Sequence, residues 1–194
     1  MTVRQTPSAP PTLAPGDPHA LVAKKKASLS AKFSPKRMQA LFDYVEIAWY
    51  LVALDRTEEA RAMADWVVDT VPFAGDFNVW TPAAQGVALS ARLARLGGDD
   101  ASRPQGLLRD HLAVAVMPRE RLTAWVGREP ATIRAICARK LAKRDLGSLA
   151  SACAAAAYYR ESALPGVYLE TWLDHADLDD AIATGTRAMR EILG

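Results

Sequence analysis

The stretch that decides the fold is PKRMQALFDYVEIAWYLVALDRTEEARAMADWVVDTVP, residues 35–72. Apolar residues recur through its first half at the three- and four-residue spacings of an α-helix. A helix that is apolar over most of its circumference has to be flanked by other helices, so we predict a central helix here. Two stripes carry this pattern, one of Met38, Leu41, Phe42, Val45, Trp49 and Val52 and one of Tyr44, Ile47, Leu51 and Leu54.

A very short connection follows this helix. Asp55-Arg56 separates it from a second helix, whose start is marked by Thr57, a favourable N-cap, and by two glutamates that suit the positive end of the helix dipole. The second helix should end before Pro72, because proline cannot continue a helix interior. A link this short forces antiparallel packing, so residues 35–71 are predicted to form a helical hairpin.

Similar start signals recur along the rest of the chain. Thr81-Pro82 and Glu129-Pro130 each open a long helix, and Ser148 is expected to cap another after a break at Gly147. Alanine, the strongest helix former, is abundant, and no segment alternates cleanly between apolar and polar residues. We therefore predict an all-α fold of antiparallel helical hairpins, arranged as an α-solenoid or as an irregular helical bundle.

The hairpin carries a pattern of bulky and small residues. Tyr44, Ile47 and Ala48 in the first helix, Ala60 in the second and Pro72 at its end resemble the tetratricopeptide repeat (TPR) family. The resemblance covers one clear repeat at about residues 44–72, and repeats elsewhere in the chain are degenerate.

The hairpin also departs from the TPR pattern. Leu51 stands where the family more often has Tyr, Ala64 where it has an aromatic residue, and Val67 where it has Ala. We expect Trp66 to supply the missing bulk.

The resemblance implies a scaffold that binds a protein or peptide partner on a concave face lined by first helices. On that reading the candidate partner-binding residues form a polar line on the first helix, and its two acidic members favour a partner with Lys or Arg. The alternative interpretation is an ordinary solvated helix face. The line consists of Gln39, Asp43, Glu46 and Tyr50.

Three aromatic residues follow the hairpin closely. Phe73, Phe77 and Trp80 lie in a predicted loop. Loops often carry function and aromatic side chains often anchor interfaces, so these residues are candidates for partner binding. They would otherwise cap the open end of the hairpin.

The N-terminal segment is strongly basic. We predict a Pro-rich flexible tail over residues 1–18, a short basic helix or arm over 19–33, and the helical domain over 34–194. Residues 1–37 hold seven basic side chains against one Asp, a net charge of +6, so the remainder carries −4 of the total of +2. Basic side chains bind phosphates, so nucleic acid is one alternative partner of this segment. The other interpretations are a helix at an acidic membrane surface and an ordinary solvated helix. The candidate anion-binding residues are Lys24, Lys25, Lys26, Lys32, Lys36 and Arg37.

Catalytic and metal-binding motifs are absent from the sequence. No phosphate loop, nucleophile elbow or HExxH motif occurs, and the three histidines are far apart. His175 and Asp179 could share a helix face, but capping of the last helix by Asp177 explains the acidic cluster around them. Cys137 and Cys153 lack the CxxC spacing and are expected to be free, packed thiols, as in a reducing compartment. We predict no enzymatic activity, no cofactor and no metal.

These patterns together favour a protein–protein interaction module. The chain has no run of about 18 apolar residues and no secretory signal, so we expect a protein of the bacterial cytoplasm that does not insert into membranes. Two alternatives are a toxin-neutralising immunity protein and a nucleic-acid-associated protein that uses the basic arm.

Overall fold

Seven α-helices make up nearly all of the chain that the structure describes. The computed structural model describes residues 38–70, 82–114, 129–162 and 175–194, and no strand occurs among them. The prediction of an all-α fold is therefore confirmed. The helices are α1 (Met38–Ala53), α2 (Thr57–Thr70), α3 (Pro82–Gly97), α4 (Ser102–Val114), α5 (Glu129–Lys143), α6 (Leu146–Ser162) and α7 (His175–Leu193).

The α1–α2 connection is as short as the sequence predicts. Asp55 adopts the left-handed backbone conformation, with a φ of 60°, which Asp tolerates better than most residues. The amide of Arg56 then donates to the carbonyl of Leu51 at 2.9 Å, which satisfies an acceptor at the end of α1. Because α2 begins at the next residue, the two helices pack directly against each other.

The core of this hairpin depends on two alanines and two aromatic rings. Ala48 and Ala60 are fully buried, and small residues at these positions let helices approach closely. The ring of Tyr44 on α1 meets the ring of Trp66 on α2 edge to face, with 4.8 Å between centroids. Trp49 and Trp66 are both buried in this core.

A different cap from the predicted one starts α6. The carboxylate of Asp145 accepts a hydrogen bond from the backbone N–H of Ser148 at 2.8 Å. The prediction that Ser148 caps this helix after a break at Gly147 is therefore wrong. Asp145 supplies the cap because its carboxylate reaches an amide of the first turn, and Gly147 lies inside that turn.

The alanine-rich helix α6 occupies the centre of the described helices. It contacts α1, α3, α4, α5 and α7, and small side chains allow these neighbours to approach from several sides. Helix α1, which the sequence predicts to be central, contacts α2, α3, α6 and α7. The buried residues of α6 are Leu149, Ala150, Ala152, Cys153, Ala154, Ala155, Ala156, Ala157, Tyr158, Tyr159, Glu161 and Ser162.

The last helix returns to the first. Helix α7 packs on α1, α5 and α6, and the guanidinium of Arg190 donates to the carbonyl of Ala53 at 2.7 Å. Repeats in an open solenoid contact only their neighbours, so contacts between the first and last described helices are those of a bundle. These contacts favour the irregular bundle over the open solenoid, and the TPR character of the hairpin stays a prediction.

Two regional predictions relate to other parts of the chain. The predicted tail over residues 1–18 and the basic arm over 19–33 lie outside the described residues. Within the described residues, no helix is both long enough and apolar enough to cross a membrane.

Candidate functional site

A cleft of about 270 Å³ opens between α1, α3 and α6. Most of its wall is apolar, and each of the three helices contributes at least one polar side chain. Sites that bind small groups in proteins combine these two features, an apolar concavity and a few placed polar atoms. The lining residues are Phe42, Val45, Glu46, Trp49, Gln85, Gly147, Ala150, Ser151 and Ala154.

One face of α1 supplies the aromatic wall. Phe42, Val45, Glu46 and Trp49 are spaced by three, four and seven residues from the first, so they share one face of the helix. Val45 and Trp49 are buried, and Phe42 is half-buried. Glu46 thus places a carboxylate on an otherwise apolar face.

A buried tyrosine holds this carboxylate in place. The hydroxyl of Tyr50 donates a hydrogen bond to Glu46 Oε1, one helical turn away. Burial raises the pKa of the Tyr50 phenol, and the hydrogen bond to Glu46 and the charges of Glu46, Asp43 and Asp145 raise it further. The hydroxyl therefore keeps its proton and remains a donor, in a region where three carboxylates converge.

Small residues of α6 form the opposite wall. Gly147, Ala150, Ser151 and Ala154 follow the same three-, four- and seven-residue spacing as the α1 face. A Cβ atom added to Gly147 would lie 3.3 Å from Glu46 Oε1, closer than such atoms normally pack. The glycine therefore lets the first turn of α6 lie directly against the Glu46 carboxylate.

A lysine from outside the cleft positions the hydroxyl of Ser151. Lys140 Nζ on α5 donates a hydrogen bond to Ser151 Oγ at 2.8 Å. Burial lowers the pKa of Lys140, and the nearby charge of Lys143 lowers it further. Because this bond uses a lone pair of the serine oxygen, the hydroxyl hydrogen can still be donated to another group.

The inner wall carries a long polar side chain from α3. Gln85 is 5% exposed and lies in a run of buried residues that begins at Pro82. Its amide makes no hydrogen bond to the described residues. Gln85 therefore brings one donor group and one acceptor to the cleft.

The predicted partner-binding residues are only partly brought together. Asp43 and Glu46 are half-buried on α1, and of these two Glu46 lines the cleft. Tyr50 is 3% exposed, so it supports Glu46 and is not an exposed member of the polar line. The remaining candidates have side chains outside the described residues, namely Gln39, Phe73, Phe77, Trp80, Lys24, Lys25, Lys26, Lys32, Lys36 and Arg37.

Among the lining residues that the structure describes, only Glu46 was a predicted site residue. Gln85 could have been noticed as the one long polar side chain in the run from Pro82 to Ala91. Gly147 and Ser151 carry a weaker signal, because an alanine-rich helix offers many small residues and the sequence does not indicate which of them face a cavity.

The described residues offer little metal or thiol chemistry. No group of three or more His, Cys, Asp or Glu side chains within them is arranged to hold a metal ion. Cys137 and Cys153 are free and buried, as predicted. Burial raises the pKa of both thiols, which favours the unreactive protonated form.

Comparison of the chain with protein-family models, with curated proteins and with solved structures gave no match in any of the three. The interpretation of the cleft therefore depends on its own geometry and chemistry.

Proposed function

We propose that this protein is a non-enzymatic interaction module that docks a segment of a protein or peptide partner on α1 and in the cleft between α1, α3 and α6. The cleft itself is the observation that carries the proposal. Its apolar wall and polar groups from three helices are the features of a pocket that receives an anchoring side chain.

The charges around the cleft favour a basic partner segment. Asp43 and Glu46 lie one turn apart on α1, and Asp145 at the start of α6 acts on the same tyrosine as these two carboxylates. Complementary charge increases the rate of association and disfavours acidic partners. A Lys or Arg of the partner, next to the side chain that enters the cleft, would lie near these three carboxylates.

The cleft is too small to be a whole interface. At about 270 Å³ it holds roughly one side chain, whereas stable protein–protein interfaces bury about 1,200–2,000 Å². The partner must therefore also cover the surface next to the cleft. On this proposal α1 supplies the acidic part of that surface.

The setting proposed for this module is the bacterial cytoplasm. Two free, buried cysteines support a reducing compartment. The TPR-like character of the module rests on the sequence of residues 44–72. Neutralisation of a toxin would be one use of such a module. Binding of nucleic acid through the basic arm is the other use that the sequence leaves open.

Selection of peptides from a random displayed library on the immobilised full chain tests the proposal. We expect the selected peptides to be rich in Lys or Arg beside apolar residues. Asp43→Asn together with Glu46→Gln should weaken the best peptide about tenfold, because opposite charges are lost at the rim. Glu58→Gln is the matched control, since Glu58 is exposed on α2 and does not line the cleft. Equal affinity in the double variant, or no basic preference among the peptides, would refute the proposal.

A further inference from the structure

Gln85 is a long polar side chain on the wall of the cleft, beside Trp49, whose indole N–H is fully buried without a partner. Gln85 is 5% exposed, and its carboxamide makes no hydrogen bond to the described residues. An amide that is largely shielded from water and has no hydrogen-bond partner carries a free-energy cost. A ligand that supplies both a donor and an acceptor would remove this cost, since the Gln85 amide needs one of each.

The neighbouring polar groups also require both kinds of partner. Ser151 accepts a hydrogen bond from Lys140 and retains its own hydroxyl hydrogen. The carboxylate of Glu46 is acceptor-only when ionised, and it already accepts from Tyr50. The cleft thus presents an amide, a hydroxyl donor and a carboxylate acceptor over an apolar wall.

The negative charge of the cleft lining faces a nearby positive charge. Glu46 is the acidic residue among the described lining residues, and Lys140, which lies outside the cleft, donates to the lining hydroxyl of Ser151 at 2.8 Å. Asp43 and Asp145 do not line the cleft, so the excess of negative charge lies around it. A neutral group therefore suits the interior, and a basic residue suits the surroundings.

A primary carboxamide meets all three requirements, because it is neutral, donates through its NH₂ group and accepts through its oxygen. We infer that the cleft anchors the partner segment through an Asn or Gln side chain, whose amide pairs with that of Gln85. This inference rests on the proposed function and adds the chemical class of the anchoring group. The methylene stem of such a side chain would lie against Phe42, Val45 and Ala154.

Four small probes with the same carbon chain test this inference. Butyramide, N-methylbutyramide, butylammonium and butyrate are titrated into the ¹⁵N-labelled full chain, and the side-chain amide signals are followed by NMR. Butyramide should shift the Gln85 signals in a saturable way, with a Kd of about millimolar size, as a ligand of about six heavy atoms allows. The other three probes should bind at least about fivefold more weakly. N-methylbutyramide has a methyl group in place of the N–H beside its carbonyl oxygen, which two paired amides use. Butylammonium lacks an acceptor and butyrate lacks a donor, and both carry a charge.

Matched variants link the signal to the cleft. Gln85→Met and Gln85→Glu should each weaken butyramide about tenfold, the first by removing the amide and the second by replacing it with a carboxylate. Because both variants lack the Gln85 side-chain signal, binding to them is followed through the backbone amide signals of α3 and α6. Gln105→Met makes the same chemical change on α4, away from the cleft, and should leave the affinity unchanged. Thermal unfolding of each variant checks the fold, and Gln85→Glu retains the side-chain shape if Gln85→Met is unstable.

Several outcomes would overturn the inference. Preferential binding of butylammonium would make the cleft a cation site, and preferential binding of N-methylbutyramide would point to a backbone peptide group. Saturation by none of the probes would exclude a site for this class of ligand. The two proposals can fail independently. If the selected peptides need Lys or Arg but not Asn or Gln, the amide anchor is refuted and the proposed function stands. If butyramide binds but no peptide is selected, the proposed function is refuted and the amide site stands.

Discussion

The carboxylate of Glu161 on α6 receives two hydrogen bonds from the guanidinium of Arg95 on α3, at 2.8 and 3.1 Å. Glu161 is buried to 2% exposure, and Arg92 of α3 lies 3.6 Å away on the same carboxylate. Arg92 also donates to Asp179 of α7 at 2.7 Å, and Asp179 accepts from Arg160 of α6. One partly buried network therefore ties together three helices, two of which form walls of the cleft.

Glu161→Gln should destabilise the protein by about 3–5 kcal/mol. The substitution keeps the shape of the side chain but removes the carboxylate that pairs with Arg95 and leaves Arg92 paired with Asp179 alone. Urea unfolding followed by circular dichroism measures this change. Glu191→Gln is the control, because its ion pair with Arg144 is exposed and should contribute less than about 1 kcal/mol. Equal effects of the two substitutions would show that the buried network does not stabilise the bundle.

Asp179 should make the stability of the protein sensitive to acid. Burial acts to raise the pKa of this carboxyl, but hydrogen bonds and charges from Arg92 and Arg160 outweigh burial and lower it. The ionised carboxylate therefore stabilises the fold above the unfolded-state pKa of about 3.9, and this contribution is lost as the pH falls toward the lower folded-state value.

The test compares Asp179→Asn with the parent protein in urea at a series of pH values. The variant should be less stable at pH 7, and the difference should shrink between about pH 5 and pH 2. Asp180→Asn, one residue further on and exposed, serves as the control. A difference that stays constant over this range would contradict the assigned role of Asp179.

Two glycines in helices should respond in opposite ways to alanine. A Cβ atom at Gly185 on α7 would lie 2.4 Å from Cys153 Sγ, so Gly185→Ala should cost about 1–3 kcal/mol through overpacking. At Gly106 on α4 nothing lies within 4 Å of the added atom, and Gly106→Ala should stabilise by about 0.5–1 kcal/mol. Thermal and urea unfolding compare the two. Adding Cys153→Ala to Gly185→Ala should recover part of the lost free energy of unfolding. If none is recovered, the contact with Cys153 is not the cause of the destabilisation.

The helices were predictable because their end signals are local. Helix α2 starts within one residue of the predicted position: the carbonyl of Arg56 accepts its first bond, so Thr57 is the first helical residue and not the N-cap. Gly98, with a φ of 74°, follows the end of α3 at Gly97. Capping depends on a few adjacent residues, and a glycine tolerates the left-handed conformation that often ends a helix. The error at Ser148 arose because Asp145 competes for the same turn, and both residue types are good caps.

The cleft was not predictable to the same degree. Glu46 was found because it stands on an otherwise apolar helix, but Gln85 and Ser151 are far apart in sequence and meet only through the packing of α3 on α6. The difference between the predicted and the observed position of Tyr50 also comes from the packing of the helices. Helical spacing placed this residue on a polar line, whereas neighbouring helices bury it and leave its hydroxyl bonded to Glu46.

Arg144 offers the last prediction, on the backbone of the α5–α6 turn. It has a φ of 52°, in the left-handed region that costs a residue with a Cβ atom about 1–2 kcal/mol. Arg144→Gly and Arg144→Ala both remove the exposed ion pair with Glu191, so their difference isolates the backbone conformation. We expect the glycine variant to be more stable than the alanine variant by about 1 kcal/mol in urea unfolding. Equal stability would mean that the turn adopts another conformation at this residue, and the Asp145 cap on α6 would then have to be reassigned.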